Sequence, residues 1–80
     1  MPTFAERLRE ARKIKSWTQG QLADRMGWHQ SKVSRLETEV GPASLDDVNA
    51  LACVIECSRG WLLGLSLEGA PSASLADEAA

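Results

Sequence analysis

The segment 18–37, TQGQLADRMGWHQSKVSRLE, restricts the fold more than any other part of the chain. Thr18 and Gln21 stand three apart, the spacing of a capping box, in which two side chains satisfy free amides of a helix's first turn. Leu22, Ala23 and Met26 follow at helical spacing. Gly27 then ends the helix, because glycine takes the positive φ of a left-handed cap without a steric cost. Val33 and Leu36 resume the helical spacing, so a second helix is predicted over roughly 29–38, within about three residues of the break. Two short helices joined so tightly cross at a steep angle, as a helix-turn-helix. Ala23 is small where the two approach most closely, and a larger side chain there would force them apart.

The same punctuation predicts three more helices. Thr3 and Glu6 form another capping box, after which Phe4, Leu8, Ala11 and Ile14 line one helical face to about Lys15. Ser44-Leu45-Asp46-Asp47 reads as a third cap of box type, opening a helix that buries Leu45, Val48, Leu51, Ala52 and Ile55. Ser58 caps a last short helix, RGWLLGL, which stops at Gly64. No stretch alternates at period two, so the expected fold is all-α: a compact five-helix domain with one core. The domain is expected over residues 1–67. After Leu67 the composition turns small, polar and acidic, so 68–80 reads as a flexible acidic tail.

Eighty residues hold one small domain, with little core to spare. At 44% hydrophobic and 25% charged the composition is that of a soluble globular protein. The N-terminus carries charges where a secretory signal needs an apolar run, and no apolar run approaches a membrane span, so the expected location is cytoplasmic. Cys53 and Cys57, four apart on one helix, do not suit a disulfide. They lack the further ligands that zinc needs and read as small buried apolar residues, with no metal and no cofactor expected. No nucleophile stands beside a base and no phosphate loop is present, so an enzyme is not expected.

The formal charge of −2 conceals an asymmetry. Residues 1–35 carry eight basic and three acidic side chains, a balance of +5; residues 36–80 set Arg59 alone against eight acids, a balance of −7. A basic half points to an anionic partner whatever the total. At about 100° per residue, Val33 and Leu36 set the inward direction of the third helix. Ser31, Ser34 and Arg35 then point outward, with Gln30 and Lys32 on the flanks. An outward face of amide, hydroxyl and guanidinium suits the DNA major groove, where Arg pairs with guanine, Gln with adenine and Ser with several base edges.

These residues resemble the helix-turn-helix of the phage repressor/Cro-like (XRE-type) DNA-binding family, whose pattern is roughly T-Q-x-x-L-A-x-x-x-G-(apolar)-x-x-(S/T)-x-(apolar)-S-x-(apolar)-E. Thr18, Gln19, Leu22, Ala23, Gly27, Ser31, Val33, Ser34, Leu36 and Glu37 fit it. ERLREARKIKSW is similar to the family's first helix, and SLDDVNALACVI with GWLLGL to its last two, so the likeness covers about residues 3–65.

The resemblance implies roles. Gln30, Ser31 and Arg35 match the positions that meet base edges. Gln19, at a helix N-terminus that itself favours an anion, matches a phosphate contact. Lys32 and Ser34 fall where phosphate or base contacts are made, and His29 stands where it can meet a phosphate. Arg12 has two roles open, the DNA backbone or a partner for Glu37, which is expected to brace the helices. Trp17 and Trp61 match core positions, whereas Trp28 either covers the turn or lies against the sugar-phosphate backbone. The loop after Glu37 departs from the pattern: Thr38-Glu39-Val40-Gly41-Pro42 is acidic where the family has cations, leaving Arg7, Arg9, Arg12, Lys13 and Lys15 to offset the loss.

The implied function is a sequence-specific transcriptional regulator of double-stranded DNA, a repressor that binds a palindromic operator as a homodimer and associates with the nucleoid. The pairing surface is expected at Trp61, Leu62 and Leu65, although the same residues can instead close the monomer core. The competing expectation is an antitoxin or anti-regulator that engages a protein partner through its acidic half and tail.

Overall fold

A computed structural model describes residues 3–38 and 43–71, and among them the chain is helical with no strand. The five helices are α1 (Phe4–Ile14), α2 (Gln19–Met26), α3 (Gln30–Thr38), α4 (Leu45–Ile55) and α5 (Arg59–Leu62). The acidic loop residues 39–42 and the tail from 72 onward lie outside the described residues.

The capping boxes on α1 and α2 form as the sequence predicts. Thr3 and Thr18 each accept the amide of the residue three ahead, and the Glu6 and Gln21 side chains accept from the cap backbone in return. Thr3 N–H reaches Glu6 Oε1 at 2.9 Å, and this bond holds the Glu6 carboxyl below its ordinary value. Gly27 ends α2 at φ 73°. A Cβ there would meet nothing within 4 Å, so glycine is required for its backbone conformation alone.

Only half of the third box exists. Ser44 Oγ accepts the Asp47 amide at 3.1 Å, but the Asp47 carboxylate does not return to the cap. It turns to Lys32 Nζ on α3, at 3.3 Å. Asp is one methylene shorter than the Glu that closes such a box, and a cation stands within its reach.

The core joins Leu8 and Ala11 of α1, Leu22 and Ala23 of α2, Val33 of α3, Val48, Leu51, Ala52 and Ile55 of α4, and Trp61 and Leu62 of α5. Leu36 and Met26 pack at its edge, as do Trp17 and Trp28. Leu45, expected in the core, is 67% exposed. It occupies the first position of α4, beyond the turn at which that helix meets the others. Cys53 is exposed and Cys57 half-buried, and both are free. Cys53 lies on the outer side of α4, away from the stripe of Val48, Leu51, Ala52 and Ile55, whereas Cys57 follows the end of α4 and packs at the edge of the core. Burial raises the Cys57 thiol above its usual value.

The last helix is shorter than RGWLLGL: after Leu62 the backbone makes a turn through Leu63 and a positive-φ Gly64. The chain then folds back on α5, where the Ser58 amide donates to Gly69 O at 2.9 Å. A Cβ on Gly69 would come within 2.2 Å of Ser58 Oγ, so only glycine fits there. Pro71 is buried beyond it. The boundary expected at 67 falls inside this packed turn.

Candidate nucleic-acid interface

The exposed face of α3 is held in place by a buried carboxylate. Glu37 is 1% exposed, and an unpartnered carboxylate at that depth would be costly. It has donors from two other helices. Arg12 of α1 donates from Nε to Oε2 at 2.6 Å and from Nη2 to Oε1 at 3.1 Å. Gln19 of α2 donates from Nε2 to Oε1 at 3.1 Å. Arg9 Nη1 donates to the Glu37 carbonyl at 3.1 Å, and the third nitrogen of Arg12 donates to Trp17 O at 3.1 Å. One fork of charge-assisted bonds thus ties α1, α2 and α3 together, with the directionality that such bonds impose.

The N-terminus of α3 is built by a residue whose role the sequence reading missed. His29 Nδ1 accepts the Ser31 amide at 3.2 Å and lies 3.0 Å from Ser31 Oγ. The imidazole therefore does what a Ser, Thr, Asp or Asn cap does elsewhere, taking an orphan amide of the first turn. The bond requires an unprotonated Nδ1.

From this frame Ser31 and Arg35 are exposed, as the helical facing of Val33 and Leu36 predicts, and Gln30, expected on the flank, is exposed with them. Ser34, expected to point outward, is half-buried. The Gln30 side chain lies over the start of α2, where its Oε1 would stand 3.5 Å from a Cβ on Gly20. Gln19 keeps its place at the N-terminus of α2, with one amide hydrogen directed to Glu37.

The cations expected to face the DNA backbone are largely engaged within the chain. Arg12 directs its whole guanidinium to Glu37 and Trp17, so the expected brace with Glu37 forms. Arg7 is 7% exposed and stacks on the Trp61 ring at 4.5 Å, with its buried Nε lacking a hydrogen-bond acceptor. Lys15 is buried and pairs with Glu56 at 3.3 Å. Arg25 covers the Trp17 ring at 4.4 Å. Lys32 lies 4.1 Å over the Trp28 ring as well as on Asp47, so Trp28 covers the turn and carries a cation on its face. Part of the +5 balance is therefore structural.

Of the residues expected to pair two copies, Trp61 and Leu62 are buried in the chain's own core, and Leu65 is 72% exposed. Leu45, Leu63 and Leu65 line an open groove of about 720 Å³ between α4 and the turn after α5, with Cys53 and Cys57 along it. No described helix is long and apolar enough to cross a membrane. No cluster of metal-ligating side chains occurs among the described residues.

Residues 3–62 match the family model described as helix-turn-helix domain. A search of curated proteins gave no match. Among solved structures, the chain is similar to the hypothetical transcription factor NHTF from Neisseria, with 27% identity over 75% of this chain and 69% of that one and a TM-score of 0.70. It is also similar to C.AhdI, a restriction-modification controller protein from Aeromonas hydrophila, with 32% identity over 74% of this chain and 89% of that one and a TM-score of 0.67. With three-quarters of its length matched, the capped α2, the Gly27 turn and the braced α3 all inside that span, the chain belongs to the helix-turn-helix domain family, of the phage repressor/Cro-like (XRE-type) DNA-binding kind.

Proposed function

We propose that this DNA-binding transcriptional regulator is a repressor that binds a palindromic operator as a homodimer. The observation that carries the reading is the exposed polar face of α3, fixed to α1 and α2 through buried Glu37. A helix of this width fits the major groove, which it reads mainly with its first turns. Gln30, Ser31 and Arg35 meet base edges. Gln19 contributes its second amide hydrogen and the α2 N-terminus to a phosphate, while His29 and Ser34 border the backbone beside it. NHTF and C.AhdI, by name a hypothetical transcription factor and a controller protein, support a regulatory role.

One such domain covers a short half-site, and a dimer doubles the sequence read, with half-sites about one helical turn of DNA apart. The exposed leucines at the groove beside α4 supply an apolar surface for a symmetric contact.

The test is selection from a random duplex library at near-physiological salt, followed by sequencing of the retained DNA. A palindrome with two half-sites is the expected result. Arg35→Ala is expected to cost about 1–3 kcal/mol and to relax preference at one base pair of each half-site. Retention of all sequences alike would overturn the reading.

A further inference from the structure

We propose that Asp47 is an internal counterion that draws Lys32 away from the DNA backbone and so lowers the affinity of the protein for DNA. The inference rests on the DNA-binding reading above and assigns a role to a residue outside the recognition helix. Lys32 sits on α3 between Ser31 and Val33, on the flank of the face that meets the groove. Its ammonium is held from two sides, by the Asp47 carboxylate at 3.3 Å and by the Trp28 ring at 4.1 Å. Both partners are half-buried: the Lys32 and Asp47 side chains are 35% and 22% exposed.

A phosphate running beside α3 must therefore take the ammonium from a carboxylate that already neutralises it. Asp47 also places its own negative charge close to that phosphate. Its position in the first turn of α4 explains why the carboxylate is stable there, since a helix N-terminus favours an anion. That turn would otherwise attract phosphate itself. Asp47 thus occupies with a side chain the cation that a DNA phosphate would use.

Binding to a labelled mixed-sequence duplex, titrated across a range of salt, tests this. Asp47→Asn is expected to bind about two- to fivefold tighter at low salt, the range of a partly exposed ion pair. Its plot of log K against log salt should steepen by up to about 0.9, one additional phosphate contact. In the Asp47→Asn background, Lys32→Gln should abolish the gain.

Asp46→Asn removes the same charge one residue away at an exposed position. An equal gain from that variant, or a gain that survives Lys32→Gln, would overturn the proposal. Should Asp47→Asn fail to melt cooperatively, Lys32→Gln decides alone: a slope shallower by about 0.9 would show that Lys32 already reaches phosphate and sink the idea. Failure of the unaltered protein to bind duplex DNA at any salt would instead overturn the DNA-binding reading, and this proposal with it. Binding by all variants with one affinity and one slope would overturn the proposal alone.

Discussion

Single residues in this chain act where the backbone needs a specific atom. Gly27 supplies a conformation, Gly69 supplies both a conformation and space, and His29 supplies an acceptor. The first was legible in the sequence because a glycine after two helical turns has one common use. His29 was not, because an imidazole can be donor, acceptor or cation, and only the position of the Ser31 amide selects among them. If the ring caps α3, His29→Ala should lower stability by about 0.5–2 kcal/mol, while His29→Asn should retain most of it. Equilibrium urea unfolding of the two variants measures the difference. Equal losses would show that the Nδ1 bond contributes nothing specific.

At the scale of elements, the capped helices followed from local rules, since a cap and its first turn are only three residues apart. The brace at Glu37 did not follow from periodicity. Glu37 is an acid on the inward side of a polar helix, and its partners Arg12 and Gln19 lie 25 and 18 residues away in sequence. The family pattern implied a structural acid with Arg12 as a possible partner, but not the donation from Gln19. Removing Arg12 leaves the carboxylate buried without its fork. Arg12→Ala should therefore cost about 3–5 kcal/mol, the penalty of an orphaned buried charge, and in an eighty-residue domain that shows as loss of cooperative melting near room temperature. The double variant Arg12→Met with Glu37→Met should recover much of that stability while loosening α3, a combination that calorimetry and amide exchange together resolve.

Across the whole molecule, charge and apolar surface are distributed unevenly. The basic half contributes less free cation than its count suggests, because Arg7, Arg12 and Lys15 serve the interior and Arg9 donates to α3. Leu45, Leu63 and Leu65 gather along the groove beside α4 and the turn after α5. If this surface pairs two copies, Leu65→Lys should leave the monomer folded, since the side chain is 72% exposed, and should shift sedimentation from dimer to monomer at micromolar concentration. An unchanged sedimentation coefficient would place the contact elsewhere or remove it.

The sequence by itself determined the order of the five helices, the capping boxes of α1 and α2, the tight turn at Gly27 and the outward facing of Ser31 and Arg35. Each depends on residues within one or two helical turns, where spacing alone fixes geometry. Tertiary structure decided which charged groups remain free for a partner. Lys32 on Asp47, Arg12 on Glu37, Arg7 on Trp61 and Lys15 on Glu56 join positions far apart in the chain. Their meeting depends on how the helices cross, a relation that no local spacing encodes. It decided Leu45 for the same reason: helical periodicity gives the face of a residue, but packing sets how far along the helix that face stays covered.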